Sequence, residues 1–415
     1  MLIERHKLLA CASVRFTSVK NYFSFAGFGL DEGGVEREKM NTKVVLILKI
    51  SIMVLLIAGC KKDDSPSLSS ARTVMVYMAA NNSLNGDAYT NINQMERAFQ
   101  GINGKLLVYA RLKNTEPKIY EIQYDTGNDI RSRVLKCYGE HNSSDPEVMA
   151  GVIADMQQLA ASRSYGLVLW SHATSWHPDP RIRLKSFGDD GGETMDIKAL
   201  KTALPDNLDF LLFDACSMAS VEVLYELRDK ARYIIASPAE VISVGMPYDE
   251  MLHDLYDTDL KSGLITSAKA YYDHYNGLSD AYQSATVSVI DNAKLDKLAG
   301  TVGTFLSTEA QHWSVLKRDE VQRLDFAPDS PTAGFDLIDF YQQNFPDADI
   351  GAIEVALQDA VLYTAHTPNF NGQEIRAYSG LSMYIPHPDN AWVHPYYKGL
   401  DWYTASQAVY IFNWL

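Results

Sequence analysis

Cys216 stands just past the apolar run Phe210–Phe213, in Phe213-Asp214-Ala215-Cys216-Ser217-Met218. A thiol at the end of a strand that leads into a helix has backbone N–H groups and a helix N-terminus nearby, and both favour a thiolate. Taken alone, such a cysteine reads as a small buried hydrophobe, the usual role of a free Cys. His172 changes that reading. It closes another all-apolar run, Gly166–Ser171 (GLVLWS), a little over forty residues upstream. A strand-end thiol paired with a strand-end imidazole is the equipment of nucleophilic catalysis. The sulfur attacks a carbonyl and the imidazole carries the proton to the leaving group.

The elements that must hold this pair are legible as apolar runs alternating with amphipathic stretches, the pattern of βαβ units and a largely parallel sheet. Arg72–Ala79 (RTVMVYMA), Lys105–Leu112 (KLLVYARL), Leu208–Ala215 (LDFLLFDA) and Tyr233–Ser237 (YIIAS) read as buried strands, and Lys118–Tyr124 as an alternating strand towards an edge. Asp145-Pro146-Glu147 opens a helix running to about Ser162, with an acidic cap and Pro in its first turn. Val221–Lys230 continues as helix. His172 and Cys216 then share the carboxyl edge of one sheet, where open α/β sheets place their reaction sites. After about Leu260 the helices lengthen (Ser262–Tyr275, Ala293–Thr308), with Gln283–Ile290 and Gly380–Pro386 as strands. This predicts a catalytic domain over residues 72–260 and a C-terminal α+β subdomain over 261–415.

A His about 50 residues before a Cys that itself follows Ala is the caspase spacing. At these residues the sequence resembles the clostripain family of cysteine peptidases, in the caspase-like clan. The resemblance rests on Leu167–His172 (LVLWSH), Ser186–Gly192 (SFGDDGG) and above all Phe210–Leu227 (FLLFDACSMASVEVLYEL). It reaches from Thr73–Ala79 to Ala236–Glu240, and more weakly to Gly380–Pro386, so most of the chain after residue 72 is covered. The resemblance implies a caspase-like α/β fold, His172 as catalytic imidazole and Cys216 as nucleophile. It implies an oxyanion held by the backbone N–H groups of Cys216 and Ala173. The family has Gly at the latter position, and Ala serves there only with an ordinary backbone conformation. The family's preference for Arg or Lys before the cut implies that Asp214 binds substrate. The second acid of basic-specific members falls in Ile242–Tyr248 (ISVGMPY), where none occurs. Members often activate themselves by cutting between His and Cys, which makes Arg181, Arg183 and Lys185, in His177–Phe187 (HPDPRIRLKSF), the candidate sites. The same stretch also reads as a plain basic connecting loop.

The N-terminus carries a different signal. Lys43 precedes an apolar run, Val44–Ala58, broken by Lys49 and Ser51 and ending Leu56-Ile57-Ala58-Gly59-Cys60. It is too short for a membrane span and the right length for a signal-peptide core. The end resembles a bacterial lipobox, with Cys60 as the lipidated residue. Residues 1–39 then read as an over-extended start, 40–59 as a lipoprotein signal peptide and 60–71 as a polar tether. Lys61 after the cysteine resembles outer-membrane lipoproteins, and Lys62-Asp63-Asp64 resembles the surface-export signal of Bacteroidetes.

Over the 415 residues, 37 Lys and Arg face 52 Asp and Glu, a net charge of −15, and 47% are hydrophobic. The composition is globular, and the acidic balance excludes a duplex-binding surface. His172, His177 and Cys216 do not read as a zinc set, since no CxxC pair accompanies them and Pro178 breaks the chain. Asp189–Glu193 lacks the spaced ligands of a calcium loop and reads as a tight turn. No cofactor is implied, and calcium dependence is not carried over from relatives. The function expected is an envelope-anchored cysteine endopeptidase acting on protein or peptide substrates. The alternative is an inactive peptidase-like lipoprotein, binding a protein or a glycan through the aromatic tail Trp392–Trp414.

Overall fold

The computed structural model describes residues 71–177, 186–309, 316–326 and 334–414. These belong to one compact unit, Ser67–Leu415. Its strands in chain order are β1 (Thr73–Ala80), β2 (Lys105–Leu112), β3 (Lys118–Glu121), β4 (Arg133–Cys137), β5 (Tyr165–Trp170), β6 (Phe187–Asp190), β7 (Glu193–Met195), β8 (Leu208–Asp214), β9 (Ala231–Ala236), β10 (Thr286–Asp291), β11 (Gly334–Asp336) and β12 (Val361–His366). Nine of them form one sheet in the order β12-β10-β9-β8-β5-β1-β2-β3-β4. The central strands β2, β1, β5, β8 and β9 run parallel, while β3, β4, β10 and β12 join antiparallel.

The parallel strands are apolar throughout because both faces are covered, as their near-continuous hydrophobic runs require. Alternation within one strand sends side chains to two cores. Val74, Val76 and Met78 of β1 pack on one face with α1 (Asn85–Ala98) and, later in the chain, the helix Leu260–Asn276. Met75, Tyr77 and Ala79 face the other side, with α2 (Pro146–Leu159), α3 (Ile197–Ala203), α4 (Val221–Leu227) and the helix Leu295–Glu309. Asp145 caps α2, accepting from Glu147 N–H at 2.8 Å and Val148 N–H at 3.1 Å, and Pro146 occupies its first turn. The outermost strand on one side is β4, whose Arg133 and Lys136 discourage edge-to-edge pairing.

The mostly parallel sheet flanked by helices is the fold the sequence predicts. The predicted boundary at 260/261 is not a break in the sheet: β10 and β12 come from the C-terminal part and extend it beyond β9. The α+β character of that part is present, but continuous with the first part. The Gly380–Pro386 strand is the short segment Ser382–Tyr384, which pairs with β11 outside the main sheet.

Part of the aromatic tail is core. Tyr397 and Trp402 are buried, and Trp176 packs edge-on to Tyr397 at 4.9 Å. Tyr397 and Tyr384 also hold the buried Glu222 of α4. Its Oε1 accepts from Tyr384 N–H at 2.9 Å and Tyr397 O–H at 3.0 Å, while Oε2 has no partner. Burial pushes this carboxyl up to about 7, opposed by those donors. The folded state therefore holds a proton that the unfolded chain has lost, so the stabilisation is complete below about pH 4.5 and disappears as pH climbs through 7. Wild type minus Glu222→Gln, followed by urea unfolding, should fall by about 3 kcal/mol between pH 4.5 and 8. A difference independent of pH would show that Glu222 is ionised in the fold.

Candidate functional site

Parallel pairing of β5 with β8 puts Trp170 opposite Asp214, and Ser171 N–H donates to Asp214 C=O at 3.4 Å. His172 and Cys216 therefore leave adjacent strands at the same carboxyl edge. Both line one cavity of about 200 Å³, together with Leu84, Asp214, Glu240 and Gly245. The sequence pairing is thus realised in space.

His172 is fixed from β1's side of the sheet. Its Nε2 lies 2.9 Å from Ser83 Oγ, in the loop after β1, and its carbonyl accepts from Gly188 N–H at 3.0 Å. Burial lowers its basicity, against the opposing pull of Asp189. Ser171 Oγ donates to Ala79 C=O at 2.7 Å and accepts from Asp189 N–H at 3.1 Å, locking the strand end. Asp189 and Asp190 belong to the β6–β7 hairpin, whose turn holds Gly191 and Gly192 at positive φ. Gly191-Gly192 is accordingly the turn, with Asp189 and Asp190 closing β6.

Cys216 lies in a loop zipped to residues 237–241. Ser217 N–H donates to Ala239 C=O at 2.7 Å and Ala219 N–H to Ser237 C=O at 2.9 Å. Ser217 takes a φ of 60°, a left-handed conformation rare for a residue with a Cβ and typical of strained functional turns. The thiol donates to Val241 C=O at 3.7 Å and accepts from Val241 N–H at 3.4 Å. Burial pushes it up to about 12, with the Val241 N–H opposing and Glu240, Asp214 and Asp325 adding to the rise. The expected thiolate at a helix N-terminus is not what the fold provides, because α4 begins at Val221, beyond its cap Ser220. Burial favours the uncharged form of both the thiol and the imidazole, and no hydrogen bond joins them among the described residues.

Ala173 meets the condition set by the sequence. It is absent from the positive-φ residues. Its bridge to Phe187 uses Gly188 N–H to His172 C=O and Thr174 N–H to Ser186 C=O, leaving its own N–H unused. The Cys216 N–H is likewise unengaged among the described residues. Two backbone donors are therefore uncommitted among the described residues, one on the residue after His172 and one on Cys216 itself.

Asp214 is buried at the cavity wall. Its Oδ2 accepts from Met246 N–H at 3.1 Å and Tyr248 O–H at 2.8 Å, and its Oδ1 has no partner among the described residues. Burial raises it to about 6, against those two donors. Gly245, at φ 73°, closes over it, and a Cβ there would lie 2.9 Å from Oδ2. Two features of the site escaped the sequence reading, Ser83 against His172 and Glu240 in the cavity. Ser83 sits in a short polar loop with nothing to single it out. Glu240 was within a matching segment, but only the fold turns it into the cavity. Burial and the neighbouring Asp325 raise it to about 7, and it accepts from Phe326 N–H at 3.2 Å. Arg181, Arg183 and Lys185, and also Cys60, lie outside the described residues.

A thiol and an imidazole at the carboxyl edge of this sheet are the architecture of a caspase-like cysteine peptidase. The model of the clostripain family, Peptidase C11, matches residues 76–406, and the chain belongs to that family. Among solved structures it is similar to an inactive zymogen C11 protease from Parabacteroides distasonis, at 30% identity and TM-score 0.71, over 81% of this chain and 99% of that one. It is similar also to a secreted C11 cysteine protease from Bacteroides thetaiotaomicron in complex with an irreversible peptide inhibitor, at 29% identity and TM-score 0.70 over the same shares. No curated protein matches the chain. The chain is a clostripain-family cysteine peptidase.

Proposed function

We propose that the chain is an endopeptidase cutting after Arg or Lys through a Cys216–His172 dyad. The observation that carries this reading is the cavity shared by His172, Cys216 and the open Oδ1 of Asp214. A basic side chain entering it meets Asp214 at its wall, with Glu240 as a second acid from a position the family motif does not use. Cys216 Sγ then lies at the scissile carbonyl. The thiol proton passes to Nδ1 of His172, the nitrogen left open by the Ser83 contact, as the S–C bond forms. Ala173 and Cys216 N–H groups hold the oxyanion. The C–N bond breaks and the imidazolium protonates the leaving amine; water then adds to the thioester with His172 accepting its proton, the C–S bond breaks to release the acid, and His172 returns the proton to the Cys216 sulfur. Because burial favours the uncharged thiol and imidazole, proton transfer accompanies attack.

Activation by a cut after Arg181, Arg183 or Lys185 is part of the same proposal, supported by the zymogen state of the Parabacteroides relative. Residues 61–415 and the Cys216→Ala variant, incubated with a peptide library and read by mass spectrometry, test both. The expected result is Cys216-dependent cuts after Arg and Lys, in the library and within residues 177–187. Cuts after other residues would refute the basic specificity, and an active chain intact at this segment would refute self-activation.

Anchoring through a lipidated Cys60 to the outer membrane rests on the lipobox-like Leu56–Cys60. Radiolabelled palmitate should enter the full-length protein in a Gram-negative host and not Cys60→Ala. Equal labelling of the two would remove the anchor.

A further inference from the structure

A second cavity, of about 440 Å³, opens beside the first and shares its wall Glu240–Ser243. The rest of its lining comes from residues 281–284, which precede β10, from Phe326, and from Phe370 and Asn371, which follow β12. In the sheet order, β9, β10 and β12 lie on one side of β8, and β5 and β1, carrying His172 and Ser83, lie on the other. The leaving amine must meet His172 to receive its proton. The acyl portion of a bound peptide therefore extends away from His172, across Glu240–Ser243, into the second cavity.

The floor and rim of that cavity are apolar, while Glu240, Ser243, Ser284 and Asn371 are its polar members. Phe326 and Phe370 stack at 5.0 Å with planes 11° apart, in a small cluster with Leu324 and Ile375 separate from both main cores. Val241 and Ile242 form the shared wall. Tyr282, at the mouth, is 60% exposed, the most exposed large apolar side chain among the described residues. A flat aromatic floor and an uncovered aromatic rim suit a ring or a branched aliphatic side chain. We propose that this cavity is a substrate subsite selecting a large apolar side chain, an aromatic one above all, on the acyl side of the residue held by Asp214. This rests on the peptidase reading above and adds a second specificity determinant to it.

The test uses peptides with a mixture of residues at the cut position and Phe, Leu, Gly, Asp or Lys at each of the three preceding positions. Binding is read by fluorescence anisotropy on Cys216→Ala protein and cleavage on the wild-type chain. One position should favour Phe or Leu over Gly at least tenfold in both readouts. Ala281→Trp, which fills the exposed mouth, should bring that ratio within about twofold, and Phe370→Ala should lower it too. No position separating Phe from Gly by more than twofold would overturn the proposal, as would a preference for Lys or Asp, or one unchanged by Ala281→Trp. Selective binding without any cleavage would leave the subsite standing and sink the peptidase mechanism instead.

Discussion

Cys216→Ala should lower kcat/KM for every peptide the wild-type chain cuts by at least about 10⁴-fold, with folding and peptide binding retained. Ala fills the space of the thiol without its sulfur, and the loop is held by backbone bonds from Ser217 and Ala219 that the substitution does not touch. His172→Ala should cost a comparable factor, because a thiol pushed up to about 12 by burial is a poor nucleophile unless a base takes its proton during attack. The double variant should be no worse than either single one, as residues acting as one unit are strongly non-additive. Steady-state kinetics on all three variants check this. Losses that multiply would mean that the two residues do not act in one proton-transfer step.

Asp214→Asn should cost about 30-fold to a few thousandfold in kcat/KM for Arg and Lys peptides, the usual consequence of leaving a buried charge without its partner. Peptides with a neutral residue at the cut should lose little. Acidity gives a second readout. Burial raises the Asp214 carboxyl to about 6, so below that pH it is protonated and its attraction for a substrate cation is gone. Wild-type kcat/KM for Arg peptides should therefore fall as pH drops through about 6, and the Asn variant should lack that limb. Retention of both the selectivity and the limb in Asp214→Asn would move the specificity to Glu240, the other carboxyl in the cavity.

The sequence by itself determined the parallel strands, because a strand covered on both faces must be apolar along its whole length, and β1, β2, β5, β8 and β9 announce themselves that way. It determined the meeting of His172 and Cys216, since both follow such strands and a parallel sheet has one carboxyl edge. The cap of α2 was legible from Asp145 and Pro146, a local matter of orphan N–H groups. What only the tertiary structure decided depends on partners far away in the chain. Strand β12 is a half-buried edge whose membership of the sheet is set by pairing with β10. Ser83, beside His172, comes from the loop after a different strand. Burial pushes the Cys216 thiol up against the opposing Val241 N–H, and no motif around the cysteine encodes either. Glu240 and Phe370 line one cavity because β9 and β12 end beside the start of β10, and Phe326 reaches Phe370 from a distant part of the chain. Strand burial and helix caps are short-range consequences of residue type, and they can be read in order along the chain. Cavity walls and shifted acidities are sums over neighbours brought in by the sheet, and they exist only once it has formed.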